Sequence, residues 1–170
     1  NIGDDMFRKM RRKKQELTEK QCLDILRRAK TATLALSGDD GYPYSVPMNF
    51  VYEDGKIYFH GAKEGHKMDA IKNNPKVSMS IIDQEDVIEE ELTTYFRSVI
   101  LFGKARILQE DDEIYHASET LGLKYNEDEV TVEKEIRKEW KILCCVEITI
   151  EHISGKQAIE LVNKNYQDLF

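Results

Sequence analysis

No stretch of this 170-residue chain approaches the roughly 18 consecutive apolar residues that a membrane-spanning helix needs, and no membrane partner is expected. No apolar signal-peptide core follows the basic run near the start, so a cytoplasmic location is expected. Proline (three) and glycine (nine) are scarce, which leaves little room for linker or low-complexity sequence. There is no internal repeat and no Gly-x-Gly-x-x-Gly fingerprint, so a resident dinucleotide fold is not expected. Cysteine is limited to Cys22, Cys144 and Cys145, an odd number without metal-ligand spacing. Adjacent Cys144 and Cys145 on a strand would point to opposite faces, and all three read as small buried side chains. His116 and His152 lack a second ligand at metal-site spacing, so no metal is expected. Positive charge is also in deficit. A net charge of −7 argues against nucleic acid as a partner. The one basic run, Arg8 to Lys14, is read as a solvated arm over residues 1–16, with acidic lipid, nucleic acid or a partner subunit as alternative contacts.

What remains is 41% hydrophobic, enough for one domain with a substantial core over residues 17–170. Thr18 and Gln21 form a capping-box pattern, and Cys22, Ile25, Leu26 and Ala29 follow at helical spacing, predicting a helix over 18–29. Residues 31–37 alternate as a strand, 38–41 turn, and 42–52 return as a second strand. Pro43 and Pro47 in that strand imply an edge, bulge or kink. Residues 56–60 form a third strand after the Glu53-Asp54-Gly55 turn, and 77–82 a fourth. The acidic segment 83–91 is expected as a mobile loop, and 95–108 as a long strand bent at Gly103. Helices are expected over 111–123 and 131–140, and a last strand over 142–153. The tail to Phe170 would dock as a short helix. Six antiparallel strands with a helix after the third fit a mainly β fold, a closed barrel with flanking helices. Periodicity alone equally allows an open α+β sheet.

The segment from Lys56 to Ile71 carries the chemistry. It reads as a strand, a turn with Gly61 and Gly65, and a helix start, which is the layout of an anion site. Lys63 and Lys67, four residues apart, would add cationic donors on one face. A plain strand–helix connection with solvated lysines fits the same residues.

Four motifs stand in order along the chain: Tyr44-Ser45-Val46-Pro47-Met48-Asn49-Phe50; Tyr58-Phe59-His60-Gly61-Ala62 with Gly65 and Lys67; Asn74-Pro75-Lys76-Val77; and 97–105 around Gly103. Together they resemble the flavin-binding split barrels of the pyridoxamine 5'-phosphate oxidase-like superfamily, and within it the nitroimidazole-resistance (Nim-type) proteins. The resemblance runs from about residue 17 to about 156. It implies a six-stranded antiparallel split β-barrel that forms a homodimer, with FMN between the subunits. Pro47, Met48 and Asn49 would lie along the flavin ring. His60, Ala62, Lys63 and Lys67 would sit near the ribityl phosphate and ring edge, with Lys67 the phosphate cation. Ser98 and Val99 would approach from a neighbouring strand, and His60 would be the catalytic residue. The implied activity is that of an FMN-dependent oxidoreductase, nitroreductase-like, reducing a small organic acceptor with NAD(P)H as a possible donor. A non-catalytic FMN store or redox sensor, or a haem or other tetrapyrrole protein with His60 as axial ligand, are alternatives. The Arg/Ser-rich phosphate motif of true pyridoxamine phosphate oxidases is replaced here by Gly65-His66-Lys67, which disfavours vitamin B6 oxidation.

Overall fold

A computed structural model describes residues 6–162. Seven strands and four helices follow in the order α1 (Glu19–Arg28), β1 (Thr31–Ser37), β2 (Pro43–Asn49), β3 (Val51–Glu53), β4 (Lys56–Gly61), α2 (His66–Asn73), β5 (Lys76–Ile88), β6 (Thr93–Ile107), α3 (Asp111–Tyr125), α4 (Glu129–Glu139) and β7 (Cys144–Gln157). The strands form one antiparallel sheet in the order β2-β1-β5-β6-β7-β4-β3.

The expected count of six strands and the closed barrel both need correction: there are seven strands, and β2 and β3 end the sheet without pairing to each other. The cause lies at Phe50. Residues 42–52, expected as one strand, break there into β2, which pairs with β1, and β3, which pairs with β4. Phe50 is fully buried, and its backbone bonds to side chains instead of a ladder. The Tyr125 hydroxyl accepts from the Phe50 N–H (3.1 Å) and lies within donating distance of the carbonyls of Lys30 (2.5 Å) and Phe50 (3.0 Å). Lys124 Nζ donates to the Phe50 carbonyl (2.9 Å) and to that of Ala29, and lies 3.9 Å from the centre of the Phe50 ring. Both side chains sit at the end of α3, so one helix end holds the point where the sheet divides.

The main core lies on one side of the sheet. Leu34, Leu36, Ile57, Phe59, Met79, Ile81, Val99, Leu101, Val146 and Ile148 meet Ile25 and Leu26 of α1 and Met68 and Ile71 of α2. A smaller cluster lies on the other side, where Ala117 and Leu121 of α3 cover Val51, Tyr58 and Cys145. β4 and β7 are therefore covered on both faces, which is why Cys144 to Ile148 is buried without alternation. Cys144 and Cys145 do face opposite sides, in the two different clusters. The capping box at Thr18 and Gln21 forms as expected. At Gly103 the β6–β7 register shifts, and a Cβ there would come within 2.3 Å of the Thr149 carbonyl, so only glycine fits the bend.

The acidic segment is not a loop. β5 continues to Ile88, opposite β6, and a 3-10 turn at Glu89–Glu91 closes the hairpin. The arm also docks: Phe7 stacks on Phe102 (5.2 Å) and His152 (4.9 Å), and buried Gln15 donates to the Gln157 carbonyl. After β7 a 3-10 turn spans Ile159–Leu161, and the rest of the tail expected to dock as a helix lies outside the described residues.

Tyr125→Phe removes the only side-chain partner of the buried Phe50 N–H among the described residues. It is expected to lower stability by about 1–3 kcal/mol, the cost of an unsatisfied buried polar group. Urea unfolding of the two proteins checks this, and equal midpoints would show that the Tyr125 hydroxyl does not hold the strand break.

Candidate functional site at the division of the sheet

Beyond Phe50 the sheet opens. The last residues of β4, Phe59 to Gly61, pair with β7 but extend past the end of β3, and β2 has a partner on one side only. Between these strand ends and the α3–α4 hairpin lies a cavity of about 970 Å³. Asn49, His60, Gly61, Ala62 and Lys63 line its strand side, Leu121, Tyr125, Val132 and Ile136 line the helical side, and Leu143, just before β7, lies where the two meet.

The expected site residues separate into two sets. Asn49, His60, Ala62 and Lys63 meet at the cavity. Lys67 stands next to it, at the start of α2. Its Nζ lies 5.6 Å from the centre of the Phe59 ring and would be 3.1 Å from a Cβ at Gly61, so the ammonium lies against the bare backbone of Gly61. Pro47 faces outward on β2 with Asn49, whereas the Met48 side chain turns inward and packs against the main core. Val99 is fully buried in that core, and Ser98 lies on the outer side of β6, between two neighbouring strands. Neither lines the cavity of this chain.

Helix α2 is fixed by Met68, Ala70 and Ile71, all buried, and stopped by Asn74, whose side chain accepts from the Lys76 N–H ahead of Pro75. At its other end Gly65 takes a φ of 128° and no side chain caps the first turn. The N–H groups there are left for another acceptor. His66 does not reach the cavity. It stacks on Tyr44 (ring centres 4.0 Å apart) and pins the helix start to β2.

His60 and Lys67 are electrostatically linked. Partial burial first, and the Lys67 ammonium second, lower the His60 pKa below its ordinary 6.5. The imidazole is therefore neutral at pH 7, able to donate through one ring nitrogen and accept through the other. Burial also lowers Lys124 to about 8, while its two carbonyl partners and the Phe50 ring favour the charged form.

Residues 18–157 match the family profile described as pyridoxamine 5'-phosphate oxidase. The chain belongs to that family. A curated member-like relative, an uncharacterized protein of Rhizobium meliloti (strain 1021), is 26% identical over 100 residues, 59% of this chain. The match spans 61% of that relative's length. Among solved structures, a candidate 5-nitroimidazole antibiotic resistance protein from Bacteroides thetaiotaomicron superposes with a TM-score of 0.69 at 21% identity, covering 84% of this chain and 86% of the other. The FAD and heme binding protein from Mycobacterium smegmatis superposes with a TM-score of 0.71 at 20% identity, covering 92% and 78%. At these identities the likeness establishes the fold. The α3–α4 wall of the cavity had no counterpart among the four sequence motifs. Its one sequence signal was the apolar pair Val132 and Ile136, which reads equally well as ordinary core.

An NMR titration of the His60 ring should give a midpoint below 6.5, and Lys67→Met should move it upward without reaching the ordinary value, because burial remains. A midpoint that ignores the Lys67 substitution would remove the link between the two residues.

Proposed function

We propose that the protein binds FMN at the division of the sheet and acts as an FMN-dependent oxidoreductase of the nitroreductase type. The observation that carries this reading is the meeting of Asn49, His60, Ala62 and Lys63 at one cavity, with Lys67 and an uncapped helix start beside it. Support also comes from the FAD and heme binding protein of the same fold. The residues fit the cofactor. Gly61 leaves room for the Lys67 ammonium, and the first turn of α2 presents unsatisfied N–H groups, so the pair suits a phosphate. Pro47 and Asn49 on the outward side of β2 would face the ring, with Asn49 hydrogen-bonding its polar edge; Met48 would contribute through its backbone. Lys63, without an ion pair among the described residues, would add a second cation.

When bound, the flavin supplies electron transfer between NAD(P)H and a small organic acceptor. The protein's part is to orient and to manage the proton. His60, neutral and at the cavity wall, donates a hydrogen bond to an acceptor oxygen, and in its protonated form passes a proton to it. An anion held at α2 offsets the field of Lys67, so loading the site raises the proton affinity of His60.

Ser98 and Val99 lie on β6, whose outward side exposes Ile100 (45%) and Phe102 (38%), next to Ile82 (62%) on β5. An apolar strip of this kind suits a second copy of the chain. We therefore read the working form as a homodimer with the cofactor between subunits, Ser98 serving the cofactor across that contact.

Lys67→Ala is expected to weaken FMN binding by about tenfold or more and riboflavin binding far less, since only FMN carries the phosphate. Flavin-fluorescence titrations of both ligands check this, and equal losses for the two would move the phosphate elsewhere. In parallel, His60→Ala should keep its flavin spectrum while NAD(P)H-driven reduction of a nitroaromatic slows by about 10²-fold, the usual scale of acid–base assistance. A haem spectrum in the purified protein would replace the flavin reading, and flavin uptake without turnover would reduce it to storage or sensing.

A further inference from the structure

The strand side of the cavity presents a histidine, a lysine and an amide, but the helical side has a different character. Leu121 and the buried Val132 and Ile136 form an apolar surface, continued by Leu143. The hydroxyls on that side are already engaged: Ser118 donates to the Ile114 carbonyl, and Tyr125 is held at the strand break. A ligand lying there meets no cation from α3 or α4, the nearest lining cation in sequence being Lys141, just past the end of α4. It does meet carboxylates, because Glu135 and Glu139, one helical turn apart on α4, line the cavity and are in no ion pair among the described residues. At about 970 Å³ the cavity stands at the top of the range for a single ligand, which leaves space for a flat molecule beside a cofactor ring.

We propose that the α3–α4 wall selects the acceptor: it receives flat, uncharged ring compounds on Leu121, Val132, Ile136 and Leu143, and it turns away anionic ones through Glu135 and Glu139. The proposal rests on the flavin reading for the identity of the second ligand, but not for the property of the wall. Apolar area removed from water favours the uncharged compound, and a carboxylate on the ligand would be held near like charges. Selection then works by repulsion as well as attraction.

The test uses the parent protein, loaded with FMN and flavin-free, and two probes of nearly the same shape, nitrobenzene and para-nitrobenzoate. Binding is read by quenching of Trp140, the single tryptophan, which follows Glu139 directly and precedes the lining residue Lys141. The parent should bind nitrobenzene about tenfold more tightly than para-nitrobenzoate, a difference of the size expected for like charges across a partly dry contact. The double substitution Glu135→Gln and Glu139→Gln should cut that ratio to about threefold or less. Ile136→Phe, which leaves Trp140 the single tryptophan, should narrow the space and weaken nitrobenzene binding several-fold. Equal affinities in the parent, or a ratio unmoved by the double substitution, overturn the proposal. Because Glu135 is exposed and Glu139 half-buried, the double glutamine variant tests the wall even where Ile136→Phe does not fold. Discrimination that persists in protein unable to take up FMN would uphold the wall and reject the flavin reading; FMN uptake without discrimination would do the reverse.

Discussion

The arrangement depends on one set of contacts, the Lys124 ammonium and Tyr125 hydroxyl against the backbone at Ala29, Lys30 and Phe50. A strand that changes partners must leave polar backbone groups without a ladder, and a fully buried residue cannot give them to water. Here two side chains at a helix end take them. The ammonium is desolvated in the process, and its lowered pKa records the penalty. The carbonyls it meets and the face of the Phe50 ring offset that penalty. The outcome is a fixed gap between β2 and the end of β4, with the helix that fixes it also forming the far wall.

Two-sided burial of β4 explains how a histidine can be held at that gap. Ile57 and Phe59 enter the main core, Tyr58 enters the cluster under α3, and β7 pairs along the whole strand. Six residues are thereby fixed in place, and His60 is the first side chain on the α3 side not covered by the helix. Its loss of hydration is incomplete, so its pKa falls without the ring becoming inaccessible. The same strand ends at Gly61, whose missing Cβ admits Lys67. One short strand thus sets both the imidazole and the place of the cation.

Much of this was legible in the sequence, and the misses share a cause. The capping box at Thr18, the alternation of β1 and β5 and the bend at Gly103 are local, each written in a few adjacent residues, and each formed as read. The strand break at Phe50 was not legible, because its partners Lys124 and Tyr125 lie 74 and 75 residues away. The segment 83–91 misled for a similar reason. Its acidic composition suits solvent, yet β5 stays extended to Ile88 because β6 runs opposite it. Buried Arg97, bonded to Gln84 and Gln157, carried no sequence signal of its own, since composition does not show which strand face the β5 and β7 glutamines occupy. At the cavity, Asn49, His60, Ala62 and Lys63 had been singled out by the motifs they stand in, whereas the α3–α4 wall is made of residues that look like any helix core.

The two walls of the cavity also differ in what evolution of the sequence can change. The strand side is tied to the ladder between β4 and β7 and to the close approach at Gly61, so a substitution there disturbs the sheet as well as the site. On the helical side the rigid requirement is narrower. Gly122 must stay small, because a Cβ would meet Val132 at 2.7 Å, and Val132 and Ile136 must stay apolar to pack. Glu135 and Glu139 have no such duty; they bond to nothing among the described residues and face the open space. A cavity with one wall fixed by backbone pairing and the other by exchangeable side chains can keep one wall constant while the other changes. In this chain the exchangeable positions are acidic, so under the proposed reading the choice they would impose is one of charge.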